Sequence, residues 1–348
     1  MSPYVLTILL SSLGLGTIMT FASSHWLLAW MGLEINTLAI IPLMAQHHHP
    51  RSTEATTKYF LTQATAAAMI LFASTTNAWM TGEWGIDNLS NPLATTMFTT
   101  ALALKIGLAP MHFWMPEVMQ GLDLTTGLIL STWQKLAPLA LIIQTTQTIN
   151  PELLTMMGIL STLIGGWGGL NQTQLRKILA YSSIAHMGWM IIIIQYAQQL
   201  TLIALGMYII MTSAAFLTFK TAMSTKTSTL ATTWPKAPTL MPVAALVLLS
   251  LGGLPPLTGF MPKWLILQEL TKQDMPLMAT TMALAALISL YFYLRLCYVT
   301  TLTISPNTTI SSTTWRAQTT QTSLPLALFI TAALGLLPMT PTILTLLT

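Results

Sequence analysis

Residues 107–117 read GLAPMHFWMPE, and residues 253–263 read GLPPLTGFMPK. Each copy begins with glycine and leucine, holds two prolines six residues apart, and lies inside an otherwise apolar stretch of helical length. Because proline lacks a backbone donor and clashes with the preceding turn, each copy predicts a broken helix. The predicted breaks are at Pro110, Pro116, Pro255, Pro256 and Pro262. Paired broken helices in two halves of a membrane chain are typical of a transport site.

The composition predicts an integral membrane protein. Of 348 residues, 53% are hydrophobic and only 6% are Asp, Glu, Lys or Arg, whereas soluble domains carry about 25% charged residues. The apolar segments are about 20 residues long, which indicates membrane helices rather than barrel strands. The single cysteine, Cys297, excludes a disulfide framework or a CxxC metal site within the chain.

Eleven apolar segments are separated by polar breaks, so we expect an all-α membrane protein with about eleven transmembrane helices. The fourth and ninth segments are the longest, and they contain the two broken motifs. The predicted segments are 3–22, 26–45, 58–80, 94–119, 124–146, 152–170, 175–195, 200–221, 240–269, 276–300 and 324–346.

Basic residues fall almost entirely in one set of alternate loops. The other set holds Lys272 as its only base, together with Glu83, Asp87, Glu152 and Asp274. By the positive-inside rule, the basic loops and the N-terminus lie on the side of synthesis, which is the matrix side in mitochondria. The basic set comprises Arg51, Lys58, Arg176, Lys177, Lys220, Lys226, Lys236 and Arg316.

The spacing of the two broken helices predicts an inverted repeat. They are five helices apart, and an odd offset makes the two copies run in opposite directions. We therefore expect a single transmembrane domain over residues 1–348, with one five-helix repeat at about 1–146 and a second at about 150–300. A C-terminal helix at about 324–346 follows an exposed connection over 301–323.

Four charged residues lie within the apolar segments, namely Glu34, Lys105, Lys135 and Lys263. A charge at a helix centre costs about 2.5–3.5 kcal/mol on insertion scales, so such residues usually have a function. Lysine releases its proton readily when it is buried, whereas arginine remains protonated. We therefore hypothesise that these lysines pass protons, and that the distance of Glu34 from Lys105 controls whether Lys105 holds its proton.

Structural alternatives remain open at several positions. Glu34 could have the purely structural role of neutralising a lysine. The flexible side chain of Lys263 could extend so that its ammonium group reaches the membrane interface. His112 and His186 fit either a proton wire or satisfied structural histidines. Glu117 is either a functional carboxylate or a plain interfacial one. His47, His48 and His49 precede Pro50 and are expected to form a solvated loop rather than a metal site.

Three segments resemble the antiporter-like subunits of respiratory complex I. They are ALKIGLAPMHFWMPEV at 103–118, AYSSIAHMG at 180–188 and GGLPPLTGF at 252–260. The resemblance covers essentially the whole chain. Lysine at 263 and the lack of an amphipathic extension after residue 346 favour one subunit of that family over its paralogues. The frequent Met and Thr residues are similar to the residue usage of animal mitochondrial genomes.

The resemblance implies a fold with two inverted five-helix repeats, without three N-terminal helices of longer family members. It implies that Glu34 modulates the charge of Lys105, that Lys135 relays protons between half-channels, and that Lys263 is the lysine of the second broken helix. His112 and His186 would belong to a hydrated polar axis.

The resemblance also implies a location and partners. The chain would be a multi-pass protein of the mitochondrial inner membrane, beside other membrane-arm subunits of complex I and lipids such as cardiolipin, with no nucleic acid. NADH, FMN, iron–sulfur clusters and ubiquinone would belong to the complex and not to this chain, so no redox chemistry is expected here.

Three functions are therefore compared. The first is a proton-translocating subunit of a redox-driven pump. The second is a self-contained antiporter that exchanges a cation for H⁺, which would need acidic ligands, although the buried set holds three lysines and one glutamate. The third is a structural filler of a membrane complex, which leaves the buried lysines unexplained.

Overall fold

The computed structural model describes residues 2–46, 48–234, 239–301 and 323–347, and these residues form helices and no strand. Two isolated bridges join His25 to Gly85 and Gln174 to Lys226. Short 3₁₀ turns cover Trp133–Lys135 and Leu337–Met339. The α-helices are α1 (Pro3–Ala22), α2 (Trp26–Met44), α3 (Pro50–Thr81), α4 (Pro92–Ile106), α5 (Trp114–Gly121), α6 (Leu124–Thr132), α7 (Leu136–Gln144), α8 (Pro151–Gly169), α9 (Leu175–Ile193), α10 (Gln198–Thr221), α11 (Thr227–Ala231), α12 (Leu240–Gly252), α13 (Phe260–Lys272), α14 (Pro276–Thr301), α15 (Leu324–Gly335) and α16 (Thr340–Leu347).

Every predicted apolar segment is mainly helical, and the fourth and ninth are interrupted at the two motif breaks. Five described stretches are individually long and apolar enough to cross a bilayer, and these are α1, α2, residues 124–144, α10 and α14. The end of the chain adds a sixth candidate, bent by 66° after α15. The motif breaks leave α4 and α12 with only 15 and 13 residues. Neither helix is therefore long enough to cross a bilayer by itself, which takes about 20 residues. The total of eleven spans stays a prediction.

Threonine is compatible with these apolar helices because its hydroxyl is satisfied within its own helix. The Thr17, Thr20, Thr95 and Thr99 hydroxyls each donate to the carbonyl oxygen three residues earlier, at 2.7–2.9 Å. A hydroxyl bonded in this way leaves no unpaired polar group in an apolar environment. The frequent threonines therefore place little polarity on the helix surfaces.

The described chain forms two compact units, one up to Ser161 and one from Thr162. The division falls inside α8, later than the repeat boundary expected near residues 146–150. In unit 1, α1 and α2 pack closely where two glycines face each other. A Cβ built on Gly16 would lie 2.9 Å from the Gly32 carbonyl oxygen, and one on Gly32 would lie 2.8 Å from that of Gly16.

In unit 2, the glycines of α8 allow close packing. A Cβ on Gly165 would lie 2.7 Å from the Ala185 backbone nitrogen, and one on Gly168 would lie 2.3 Å from the Tyr181 ring. Helix α10 contacts α9, α12, α13 and α15. Predictions that involve His47, Lys236, Arg316 or the connection over 302–322 lie outside the described residues.

Candidate functional site

The first break follows directly from its sequence. Gly107 has φ +84°, a left-handed conformation that favours glycine and ends α4. The Gly107 N–H donates to the Ala103 carbonyl oxygen at 2.9 Å. The Trp114 indole Nε1–H then donates to the Leu104 carbonyl oxygen at 2.9 Å, so the first residue of α5 satisfies a carbonyl in the last turn of α4.

The second break has a left-handed glycine at the same point, but a different side chain caps the helix. Gly253 has φ +78° and ends α12. Lys263, in the first turn of α13, donates from Nζ to the Gly252 carbonyl oxygen at 2.8 Å. A cation is favourable at a helix C-terminus, where unpaired carbonyl oxygens concentrate negative charge. Lys263 thus caps the helix that precedes the break.

The predicted break prolines divide into two groups. Pro110, Pro255 and Pro256 lie in the breaks, and the Ala109–Pro110 and Pro255–Pro256 peptide bonds are cis. Pro116 and Pro262 instead lie in the first turns of α5 and α13. Proline is tolerated there because the first backbone N–H groups of a helix have no intrahelical acceptor. These two prolines therefore begin the second helix of each pair.

Unit 1 brings Lys105 and Lys135 to one internal cavity of about 10 Å³, enough for about one water molecule. Lys105 is 5% exposed, and its Nζ is buried without a hydrogen-bond partner. Lys135 is 2% exposed. The amide and hydroxyl side chains of five other residues share this cavity, and the complete lining is Leu33, Asn36, Thr37, Tyr59, Gln63, Lys105, Ile106, Trp114, Met115, Leu130, Gln134, Lys135, Ala137 and Pro138.

Glu34 lies on α2, close enough for its charge to act on Lys105. No ion pair within 4.0 Å joins these two described residues, since Lys105 Nζ has no partner. The Glu34 carboxylate instead accepts a hydrogen bond from Thr37 Oγ1 at 3.1 Å. Thr37 itself lines the cavity, and its hydroxyl is also 2.9 Å from the Glu34 backbone carbonyl oxygen. Glu34 therefore acts on Lys105 through its charge and not through a direct hydrogen bond.

The sequence predicts one continuous helix over 124–146, but Lys135 does not lie in a continuous helix. It ends a 3₁₀ turn, Trp133–Lys135, between α6 and α7. Pro138 accounts for this turn, because its ring clashes with the carbonyl of Gln134 four residues earlier and it offers no N–H. The turn places Gln134 and Lys135 together on the cavity.

Unit 2 brings Lys263 and His186 to a second cavity, of about 20 Å³. The His186 Nδ1–H donates to the Ser182 carbonyl oxygen at 2.7 Å. This bond fixes the orientation of the ring, which also packs 5.6 Å from the Tyr208 ring between centroids. The remaining lining is largely apolar and consists of Trp189, Met190, Ala204, Met211, Gly259, Pro262 and Ile266.

Two other candidates lie away from these cavities. His112 is buried in the first break, with Nδ1 3.3 Å from the Pro110 carbonyl oxygen, and the cavity of Lys105 does not include it. Glu117 is exposed and forms an ion pair at 2.8 Å with Lys58, which also pairs with Glu54 at 2.8 Å. The hydrogen bond from Lys58 lowers the pKa of Glu54. Glu117 is therefore part of an exposed charge cluster.

The structure adds residues that the sequence analysis did not single out. Asn36 and Thr37 follow Glu34 within one turn, and their polarity in an apolar segment was a visible signal. Arg295 lies in α14 and donates from Nη1 to the Leu170 carbonyl oxygen at 2.5 Å, just beyond α8. In the described chain, no group of three or more His, Cys, Asp or Glu residues is arranged to hold a metal ion.

Comparison with known proteins gives consistent matches over the full chain. The profile of the family described as NADH:quinone oxidoreductase/Mrp antiporter, TM, matches residues 23–289, and that of NADH dehydrogenase subunit 2 C-terminus matches residues 290–344. The chain is 83% identical to NADH-ubiquinone oxidoreductase chain 2 of Carassius auratus over 100% of both chains. It is 74% identical to the protein of that name from Danio rerio, again over 100% of both.

Solved structures share the fold. A chain of respiratory complex I from Thermus thermophilus superimposes with a TM-score of 0.78 and 26% identity, over 97% of this chain and 80% of that one. A chain of the Mrp complex from a Dietzia species gives a TM-score of 0.80 at 14% identity, over 97% and 76%. The second likeness concerns the fold alone.

Proposed function

The chain belongs to the NADH:quinone oxidoreductase/Mrp antiporter transmembrane family, and we propose that it translocates protons as a membrane subunit of NADH–ubiquinone oxidoreductase. Its relatives over the full length carry the name of that enzyme. Electron transfer takes place in partner subunits, which hold the NADH, FMN, iron–sulfur and ubiquinone sites. This chain contributes the membrane path along which protons move.

One observation carries the proposal. Lys105 and Lys135 line the same cavity, and the Lys105 ammonium is buried without a protein partner. An unpaired ammonium in an apolar interior is costly, so a purely structural role would leave that cost uncompensated. A lysine that alternates between ammonium and amine exchanges a proton with a neighbour, and Glu34 modulates that exchange through its charge.

The second unit supports the same function with its own pair of groups. Lys263 and His186 share a cavity, and both side chains exchange protons. The path proposed here therefore includes Glu34, Lys105 and Lys135 in unit 1, and Lys263 and His186 in unit 2. His112 lines neither cavity, so it belongs to this path only as a residue of the first break.

The membrane arrangement is proposed from the same pattern. Eleven spans, two inverted five-helix repeats and a C-terminal helix agree with the helical segments and with the two breaks. Animal relatives support the mitochondrial inner membrane. The concentration of bases in one set of loops supports a matrix location for the N-terminus. Other membrane-arm subunits and anionic lipids such as cardiolipin surround the apolar outer surface.

The test uses the whole enzyme in sealed phospholipid vesicles, driven by NADH and a short-chain ubiquinone. Lys105→Ala removes the amine, and Lys105→Arg keeps a positive charge that does not release its proton. Both variants should assemble, and both should lose protons moved per NADH oxidised. Lys58→Ala, at an exposed lysine, is the matched control and should pump normally. Normal pumping by both Lys105 variants contradicts the proposal and favours a structural subunit.

The antiporter alternative is tested with the purified chain alone. After a pH gradient is imposed across vesicles, an antiporter collapses the gradient when Na⁺ or K⁺ is added. A pump subunit without its redox partners leaves the gradient unchanged. Cation-dependent collapse that Lys105→Ala abolishes would assign exchange to this chain.

A further inference from the structure

Asn36 lies in α2 at the cavity shared by the two lysines of unit 1. Its side chain is 2% exposed, and both Nδ2 and Oδ1 are buried without a hydrogen-bond partner. Its backbone carbonyl oxygen accepts from Gln134 Nε2 at 3.2 Å, so α2 is tied to the residue beside Lys135. Burial of a complete amide without partners costs free energy, and such groups usually bind an ordered water molecule.

The packing against α1 holds the amide in place. A Cβ built on Gly16 would lie 2.6 Å from Asn36 Oδ1 and 3.0 Å from Cγ, so only glycine at this position leaves room for the side chain. The backbone of α2 is held equally closely, since the same Cβ would lie 2.9 Å from the Gly32 carbonyl oxygen. The contact with α1 thus fixes the Asn36 side chain, and Asn36 lines the cavity.

We propose that Asn36 is a positioning residue that holds a single water molecule between Lys105 and Lys135. The cavity has the volume for about one water molecule, and a bound water needs two to four polar partners. The Lys105 amine and the Asn36 amide, which have no hydrogen-bond partner, supply two, and Lys135 lines the same cavity. This inference rests on the proposed function, because it assigns the carrier between two lysines of the proposed path.

The transfer step balances without any other reactant. The Lys105 ammonium gives one proton to the water oxygen as the same water gives one of its protons to the neutral Lys135 amine. Lys105 becomes an amine, Lys135 becomes an ammonium, and the water is regenerated. The hop uses one lone pair and one hydrogen of the water. The Asn36 amide bonds to the lone pair or hydrogen that remains, and so fixes the orientation of the water.

The experiment compares variants of the whole enzyme in sealed vesicles. Asn36→Leu, which has a similar volume and no polar group, should slow proton transfer by up to about 10²-fold, the loss that a misplacement of about 1 Å can cause. Protons moved per NADH should fall accordingly. Asn36→Ser, which keeps a donor and an acceptor, should restore much of that ratio. Asn77→Leu is the matched control, because Asn77 is fully buried in the same unit, donates from Nδ2 to the Asn88 carbonyl oxygen and does not line the lysine cavity.

The outcomes separate this inference from the proposed function. Normal pumping by Asn36→Leu, with pumping lost in Lys105→Ala, overturns the role of Asn36 alone. Normal pumping by both variants overturns the proposed function as well. Equal losses in Asn36→Leu and Asn77→Leu, without rescue by Asn36→Ser, assign the effect to packing. That result also overturns the role of Asn36. If Asn36→Leu does not assemble, a high-resolution map of the unmodified enzyme decides, because no ordered water within about 3.2 Å of the amide refutes the proposal.

Discussion

At the scale of residues, the two breaks place their charges at different positions around the same backbone turn. Lys105 precedes Gly107 by two residues, and the corresponding position before Gly253 is Leu251. Ten residues after each glycine, the first copy has Glu117 and the second has Lys263. Each unit therefore has one lysine at its break. Lys105 is buried and lies on the helix before the break in unit 1, whereas Lys263 is half-buried and lies on the helix after the break in unit 2. This difference explains why only Lys263 caps a helix.

The two break glycines should respond differently to alanine. Either substitution places a Cβ in the left-handed region, which costs about 1–2 kcal/mol. At Gly107 the nearest atom to that Cβ is 3.4 Å away, on the Trp114 ring, whereas at Gly253 it meets Lys263 Cδ at 2.8 Å and Nζ at 2.9 Å. Gly107→Ala should lower thermal stability with little effect on pumping. Gly253→Ala should lower both, measured as the melting temperature and as protons per NADH.

This pair contains its own control, since both variants carry the same backbone strain. If both variants assemble and pump equally well, the position of Lys263 beside Gly253 does not affect proton pumping. A loss confined to Gly107→Ala would show the reverse of the expected order.

The charged residues of the site were predictable from the sequence, because a lysine in an apolar membrane segment has a high free-energy cost and is therefore conspicuous. Their grouping was not predictable, since helix spacing does not show which helices touch. Lys105 with Lys135, and Lys263 with His186, emerge only from the packing. Asn36 was overlooked because asparagine carries no charge, and its missing hydrogen bonds are a property of the fold.

At the scale of elements, prolines and glycines explain the helix ends. The sequence pattern located both broken helices, because glycine and proline at fixed spacing act on the local backbone. It did not locate the 3₁₀ turn at Trp133–Lys135, although Pro138 causes it. The predicted segment 124–146 runs through this turn as one continuous helix.

The second break is also tied to α15. Thr258, 1% exposed in the break, donates through Oγ1 to the Ala333 carbonyl oxygen near the end of α15. Thr258→Val keeps the shape of the side chain and leaves that carbonyl buried without its partner, at a cost of about 1–3 kcal/mol. We expect faster proteolysis of residues 323–347 in the solubilised enzyme.

Thr331→Val is the matched control for this tie, because Thr331 is exposed and its hydroxyl bonds only carbonyls of its own helix, at 3.0 Å. It should leave the rate of proteolysis unchanged. Similar rates for Thr258→Val and the unmodified chain would show that α15 is held by apolar packing alone.

At the scale of the whole molecule, unit 2 has two chemically distinct ends. At one end, the start of α9 meets the turn before α11, where Leu175 N–H donates to the Thr225 carbonyl oxygen at 3.1 Å. At the other, a groove of about 320 Å³ joins the start of α10 to the end of α13. Four bases of the basic set, namely Arg176, Lys177, Lys220 and Lys226, lie in the segments of the first end. The second end holds Lys272 with Glu269 and Asp274.

The positive-inside rule assigns the first end to the matrix, and this assignment can be tested with single cysteines. Ser228 and Gln273 are exposed at the first and second ends, respectively. In a background with Cys297→Ser, an impermeant thiol reagent added to mitochondria without their outer membrane should label Gln273→Cys directly. Ser228→Cys should react only after the inner membrane is permeabilised. The opposite pattern would invert the topology, and labelling of both sites before permeabilisation would show that the two ends do not lie on opposite sides of the membrane.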